Sequence, residues 1–152
     1  MKIQEYLSQN NVAFETRHHA PAYTSQEVAA EEHVSGNILA KGVVVKADAD
    51  FVLCVLPASL KLDMEKLARA TGADRVRLAD ETEMARIFPD VEVGAEPPFG
   101  NLYDMTTIVD EHLAEAAEIV FQAGTHSEAI RMSFDDYARL TNPHVADLAV
   151  RL

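Results

Sequence analysis

The sequence predicts a single α+β domain, residues 1–152, organised around a mixed β-sheet with surrounding helices. Three observations carry this. Two β-branched apolar runs, 38–45 and 51–56, are separated by Asp48-Ala49-Asp50 and read as a central hairpin. Capping patterns recur at Thr24/Glu27, Asp63, Asp80/Glu83 and Ser133/Asp136, each ahead of a segment with helical spacing. Strands and helices also follow one another irregularly instead of as repeated βαβ units. At 152 residues, with 48% apolar and 25% charged residues, the chain suffices for one core and is too short for two ordinary ones.

In chain order, Ile3, Tyr6 and Leu7 share one helical face and Asn10-Asn11 stops it. Val12, Phe14 and Thr16 alternate with polar residues up to His18-His19, a strand that Ala20-Pro21 ends. A helix starts at the Thr24 cap and runs to about His33, before Ser35-Gly36-Asn37. After the hairpin, Asp63 caps a helix with Met64, Leu67, Ala68 and Thr71 on one face and Gly72 at its stop. Residues 75–78 form a short strand, and Asp80 opens a two-turn helix to Ile87 before Phe88-Pro89. Residues 91–93 could end a strand leading into the loop that follows. Residues 106–109 and 119–123 are further strands with a helical turn at 111–117 between them. Gly124-Thr125-His126-Ser127 interrupts the second, which resumes at 129–132. A helix from Ser133 through Leu140 follows, and Asn142-Pro143 begins a last turn.

Net charge is −12, from 25 acids and 13 bases, so the overall field repels polyanions. From Asp80 to Glu118 eleven acids face the single base Arg86, whereas Lys61, Lys66, Arg69, Arg75 and Arg77 cluster just before. A nucleic-acid partner would have to be held at that local patch. No apolar run is long enough to cross a membrane and the first residues carry no signal-peptide core, which points to a cytoplasmic protein without membrane contact. The only cysteine, Cys54, lies inside an apolar run and reads as a buried inert thiol. No GxxxxGK, GxGxxG, HExxH or GxSxG is present, and the six histidines show no metal-ligand spacing, so no metal and no cofactor are expected.

Two features remain. Gly94-Ala95-Glu96-Pro97-Pro98-Phe99-Gly100 can be neither helix nor central strand; it is a shaped loop, opening on a glycine that can take φ > 0 and stiffened by two prolines. Lys41 stands alone at the entrance of an apolar strand, where a long cation either snorkels to solvent or reaches a cleft or an anion. By period two, Lys41 shares a face with Val43 and Val45, and Gly42 shares the other with Val44 and Lys46.

Lys41, the 94–100 loop and Gly124-Thr125-His126, in that order and together with His19-Ala20-Pro21, 24–30, Leu39-Ala40-Lys41 and Leu60-Lys61-Leu62-Asp63, resemble the YbaK/ProX family of trans-editing aminoacyl-tRNA deacylases. These are also called synthetase-associated or prolyl-tRNA synthetase insertion-like domains. The resemblance covers almost the whole chain. It implies a barrel-like mixed sheet and metal-independent hydrolysis of the ester joining a mischarged amino acid to the tRNA 3′ end; Gly94-Ala95 and Pro97-Pro98 would make a close, stiff pocket wall, which favours a small amino acid. The partners implied are mischarged tRNA and an aminoacyl-tRNA synthetase. Lys41, Gly94, Gly124 and His126 take the catalytic positions; Ala95, Glu96, Pro97, Pro98, Phe99, Thr125 and His19 take the substrate-binding ones. Lys41 would hold the anionic tRNA end or orient the aminoacyl group, and loop N–H groups would stabilise the carbonyl oxygen as it gains charge. Water or a ribose hydroxyl is the implied nucleophile. Glu96-Pro97 departs from the small residues and serine of many relatives, so Glu96 either reads the substrate's ammonium group or faces solvent. His126 is open between proton shuttle and structural histidine. Beside the deacylase stand two other readings: a non-catalytic tRNA- or synthetase-binding module of the same fold, and an unrelated small-molecule hydrolase.

Overall fold

Helix α1 (Ile3–Gln9) buries Ile3 and Leu7, the face given by their i, i+4 spacing, in the computed structural model, which describes residues 2–152. The caps meet the amides that their spacing implies. Thr24 accepts from Glu27 N ahead of α2 (Ser25–Glu31), and Asp63 accepts from Glu65 N and Lys66 N ahead of α3 (Met64–Thr71), which ends on left-handed Gly72. Asp80 and Glu83 complete a reciprocal capping box on α4 (Glu81–Ile87). Asp110 caps the short α5 (Glu111–Ala114), and Ser133 caps α6 (Phe134–Thr141).

The predicted hairpin is β2 (Ala40–Ala47) and β3 (Asp50–Pro57), in register from Ala40 opposite Pro57 to Ala47 opposite Asp50. Its turn is Asp48-Ala49, with Asp48 at φ +53°. These strands centre a five-stranded sheet with β5 (Val76–Leu78) outside β2, and β6 (Thr106–Asp110) and β9 (His144–Ala146) beyond β3. The β2–β3 and β2–β5 pairs are antiparallel and the β3–β6 and β6–β9 pairs parallel, so the sheet is mixed as expected. A second, antiparallel sheet orders β1 (Phe14–His18), β8 (Glu128–Ser133) and β7 (Glu118–Gln122). The third pairs β4 (Leu60–Leu62) with β10 (Ala149–Arg151). A parallel bridge from Leu39 to Val120 joins the first two sheets, but among the described residues they do not close into a barrel.

Two local readings change. The segment 124–127 reverses the chain instead of interrupting one strand, so Phe121 lies opposite Ile130 in a hairpin. Residues 91–93 form no strand: Glu92 N donates to Gly124 O across the loops and no ladder follows.

Period two along the hairpin sorts the core. Val44, Leu53, Val55 and Val109 pack against Ile119, Phe121, Ile130 and Met132 of the second sheet. Val45, Val52, Cys54 and Ile108 face the other way, against Leu67 of α3 and Leu148. Cys54 is fully buried, and burial pushes its thiol up to about 12, so it is inert as the sequence implied.

Candidate active site

Strand β5 covers only the end of β2, pairing Val45, Lys46 and Ala47 with Leu78, Arg77 and Val76. Ala79 N then donates to Val44 O at 2.9 Å, and the edge of β2 toward Lys41 is left uncovered by β5. Backbone groups alternate sides along a strand, so the N–H and C=O of Gly42 lie on the same edge as those of Val44. A cavity of about 310 Å³ opens there, at the small end of the ligand-cleft range. Its floor is β2, Met84 of α4 and Val28 of α2 form sides, and Val93, Gly94 and Glu96 frame the mouth.

Lys41 and the glycine-proline loop, remote in sequence, thus line one cavity. Lys41 is half-buried; its Nζ donates to Leu60 O, and burial lowers its pKa from the ordinary lysine value. An ammonium has three N–H donors, so two remain for a ligand. It is therefore more than the freely solvated strand-end side chain that the sequence alone allows.

The loop is a turn anchored in the core. Gly94 takes φ +90°, and its N–H donates to Glu96 Oε1 at 2.8 Å. Ala95 N donates to Glu92 O, Phe99 N to Pro97 O, and Gly100 N to Thr107 Oγ1. Pro97 and Pro98 have no N–H, so among the described residues the loop amide without an intramolecular acceptor is that of Glu96 itself. Phe99 is fully buried, edge-on to Tyr6, Phe121 and Tyr137, and the Tyr137 hydroxyl donates to Pro98 O at 2.6 Å.

Of the substrate-binding positions read from the sequence, Glu96 alone lines this cavity, beside the catalytic positions Lys41 and Gly94. Ala95, Pro97, Pro98 and Phe99 are buried and act as the loop's footing. Their apolar character is the reason. Gly124 and Thr125 line a different, larger hollow of about 820 Å³ with Pro97. Lys41 is absent from that hollow, which is why the smaller cavity is the candidate site. His19 is buried elsewhere: Nδ1 donates to Ala20 O at 2.7 Å and Nε2 stands 3.9 Å from Glu32. His126 stitches the loops together. Its N–H donates to Glu92 Oε1 and its Nε2 to Val93 O, each at 2.8 Å, while Gly124 N donates to Ala95 O. A carbonyl only accepts, so Nε2 carries the proton.

Gln122 was missed by sequence reasoning. It lines the cavity, donates Nε2 to Ala22 O at 3.1 Å, and leaves Oε1 buried without a partner. The available signal was of the same kind as for Lys41: one polar side chain at the end of an apolar strand. The basic stretch is partly neutralised, because Lys66 pairs with Asp147 at 3.0 Å and Arg77 with Glu83 at 2.7 Å. Among the described residues no three His, Cys, Asp or Glu side chains gather as a metal site, and no helix is long and apolar enough to cross a membrane.

Residues 19–140 match the sequence profile of the aminoacyl-tRNA editing domain. The chain is 30% identical over 113 residues to the multifunctional Ser/Thr-tRNA deacylase ProXp-y of Escherichia coli (strain K12), covering 71% of this chain and 67% of that protein. It is 23% identical over 146 residues to EbsC of Enterococcus faecalis, a candidate Cys-tRNA(Pro)/Cys-tRNA(Cys) deacylase, with 88% of each covered. In fold it is similar to the crystal structure of a candidate trans-editing enzyme for prolyl tRNA synthetase, with a TM-score of 0.84, 22% identity, and 97% of this chain and 94% of that one covered. The crystal structure of hypothetical protein APE2540 superposes with a TM-score of 0.89 at 22% identity, covering 99% of this chain and 100% of the other.

Proposed function

The chain belongs to the aminoacyl-tRNA editing domain family, and from that premise we propose that it hydrolyses the ester linking a mischarged, small amino acid to the 3′ end of tRNA. The observation that carries the site assignment is the shared cavity of Lys41, Gly94 and Glu96 at the open edge of β2. The ester carbonyl sits at the mouth, where the free N–H of Glu96 donates to its oxygen as charge develops. Lys41 supplies its two remaining N–H donors to the tRNA end. Gln122 Oε1 accepts from the α-ammonium group. The carboxylate of Glu96 holds the turn through Gly94 N, and Gly124 and His126 are positioning residues that fix the loop from behind.

No side chain of the cavity is an activated nucleophile. Ser25, the hydroxyl in the wall, bonds no imidazole or carboxylate among the described residues. The attacking group is therefore water, hydrogen-bonded by the free hydroxyl of the terminal ribose; the acyl C–O bond breaks and the ribose oxygen leaves as a hydroxyl, with the loop and Lys41 placing the ester for the attack. The same proposal includes a cytoplasmic location and an aminoacyl-tRNA synthetase as delivery partner, because charged tRNA is made and used there.

The test is single-turnover deacylation across a panel of mischarged tRNAs, with aminoacyl methyl esters as controls. Alanyl-, seryl- or cysteinyl-tRNA should be hydrolysed faster than phenylalanyl-tRNA, since about 310 Å³ must hold the acyl group and part of the ribose. An intact panel, or preference for the bulky acyl group, defeats the reading.

A further inference from the structure

The cavity is rimmed by apolar side chains that the fold leaves in water. Tyr23 is 66% exposed, Val93 67% and Leu78 58%. Val93 and Leu78 line the cavity, and Tyr23 lies two residues before the lining residue Ser25. Its ring lies 4.6 Å from the His126 imidazole, tilted by 41°. That imidazole is fixed by the bond from Nε2 to Val93 O, so one face of Tyr23 rests on a rigid support and the other is open. The backbone beside it is tied down as well: Ala22 N donates to His126 O at 2.8 Å, and Ala22 O accepts from Gln122 at 3.1 Å. An exposed aromatic ring held this firmly at the mouth of a site is a preformed surface for a flat ligand.

Resting on the deacylase reading, we infer that Tyr23 is the stacking platform for the 3′-terminal adenine of tRNA, with Val93 and Leu78 as its apolar border. Charge favours this occupant. A protein of net charge −12, with Lys66 and Arg77 of its basic stretch already in ion pairs, offers phosphates only a weakened patch in a repelling field. A base stacked on an aromatic ring contributes binding that does not depend on that field. Every tRNA ends in the same adenine, so one platform serves whichever tRNA is mischarged, and the amino acid is read separately inside the cavity.

The experiment uses the full chain and a minihelix RNA with 2-aminopurine in place of the terminal adenine. The protein has no tryptophan, so 2-aminopurine fluorescence reports directly on stacking. Wild type and Tyr23→Phe should quench it on binding, and Tyr23→Ala should not. With charged tRNA, Tyr23→Ala should raise KM by roughly 5- to 150-fold, the range of one lost base–aromatic stack. It should lower kcat/KM for aminoacyl-tRNA by that much more than for the methyl ester of the same amino acid, which has no base. Val145→Ala, an exposed apolar change on β9, should alter neither. Equal quenching by Tyr23→Ala, an unchanged KM, or equal losses on tRNA and methyl ester would each overturn the inference. A wild type that quenches the minihelix but leaves charged tRNA intact would instead overturn the deacylase reading and keep the platform.

Discussion

The carboxylate of Glu96 accepts the N–H of Gly94 at 2.8 Å, so the turn that begins on the left-handed glycine is closed by the side chain two residues later. A negative group at the mouth of the cavity is explained by this bond without invoking recognition of a substrate's charge. Glu96→Gln keeps an oxygen that can accept the same bond, though without charge assistance. It should lose only a few-fold in kcat/KM, whereas Glu96→Ala should lose about ten-fold, as one released hydrogen bond of roughly 1 kcal/mol lets the turn relax. Equal, large losses in both variants would reassign Glu96 to the substrate's ammonium group.

Lys41→Ala should abolish most deacylation, with a rate fall between roughly ten- and ten-thousand-fold for one or two lost charge-assisted bonds. The bond to Leu60 O adds a stability cost of about 1 kcal/mol, visible in the melting temperature. Lys46 is the comparison: it lies on the opposite face with its ammonium 5.6 Å from the Phe51 ring, and Lys46→Ala should keep most activity.

The pH profile follows from the same burial. Desolvation depresses the Lys41 pKa, so its charge is lost at a lower pH than an ordinary lysine's. Activity that needs the cation should therefore fall on the alkaline side below the usual lysine range, after correction for uncatalysed ester hydrolysis. Lys41→Arg should remove that limb and recover activity only partly, since the guanidinium donor geometry differs. An alkaline limb that persists in Lys41→Arg would assign it to another group.

Much of the fold was legible because its signals are local. Thr24, Asp63, Asp80 and Ser133 cap helices through amides two or three residues away, and the β2–β3 hairpin closes over a two-residue turn. Strand β4 was not legible: its three residues pair with 149–151, and no short-range pattern encodes that. The loop was recognised as a shaped element, but its wall was misread. Proline and phenylalanine stiffen a turn wherever it lies, and here the Phe99 side chain goes into the core, carrying Pro97 and Pro98 under the surface with it. Gln122 escaped because a single polar residue at a strand end is ordinary until a cavity is seen beside it.

The hydroxyl of Tyr137 is fully buried and donates to Pro98 O, and burial raises its pKa well above that of free tyrosine, so it remains a donor at every working pH. Tyr137→Phe fills the same space but leaves that carbonyl buried without its donor, at a cost of about 1 to 3 kcal/mol. Deacylation should fall with the melting temperature, and amide exchange should quicken at Phe99 and Gly100. Exchange confined to α6 would mean that the bond supports the helix and not the loop.

The two glycines that bracket the loop should fail in different ways. Gly100 is buried, and a Cβ there would lie 2.5 Å from Thr107 Oγ1 and 2.7 Å from Met105 O, too close for either to yield. Gly100→Ala should therefore destabilise the whole domain by about 2 to 4 kcal/mol, from overpacking and the weakened bond of its N–H to Thr107. Gly94 is exposed, and a Cβ would meet only His126 Cε1 at 3.4 Å, so its requirement is the φ of +90° itself. Gly94→Ala should cost about 1 to 2 kcal/mol of backbone strain, relieved by a shift of the 94–96 turn. A displacement near 1 Å of the Glu96 N–H is enough to lower kcat roughly a hundred-fold. Thermal melts and single-turnover rates on both variants separate the two roles. If Gly94→Ala stays active, the oxyanion donor is not on this turn. If Gly100→Ala melts like wild type, the close approach to Met105 and Thr107 does not constrain the loop.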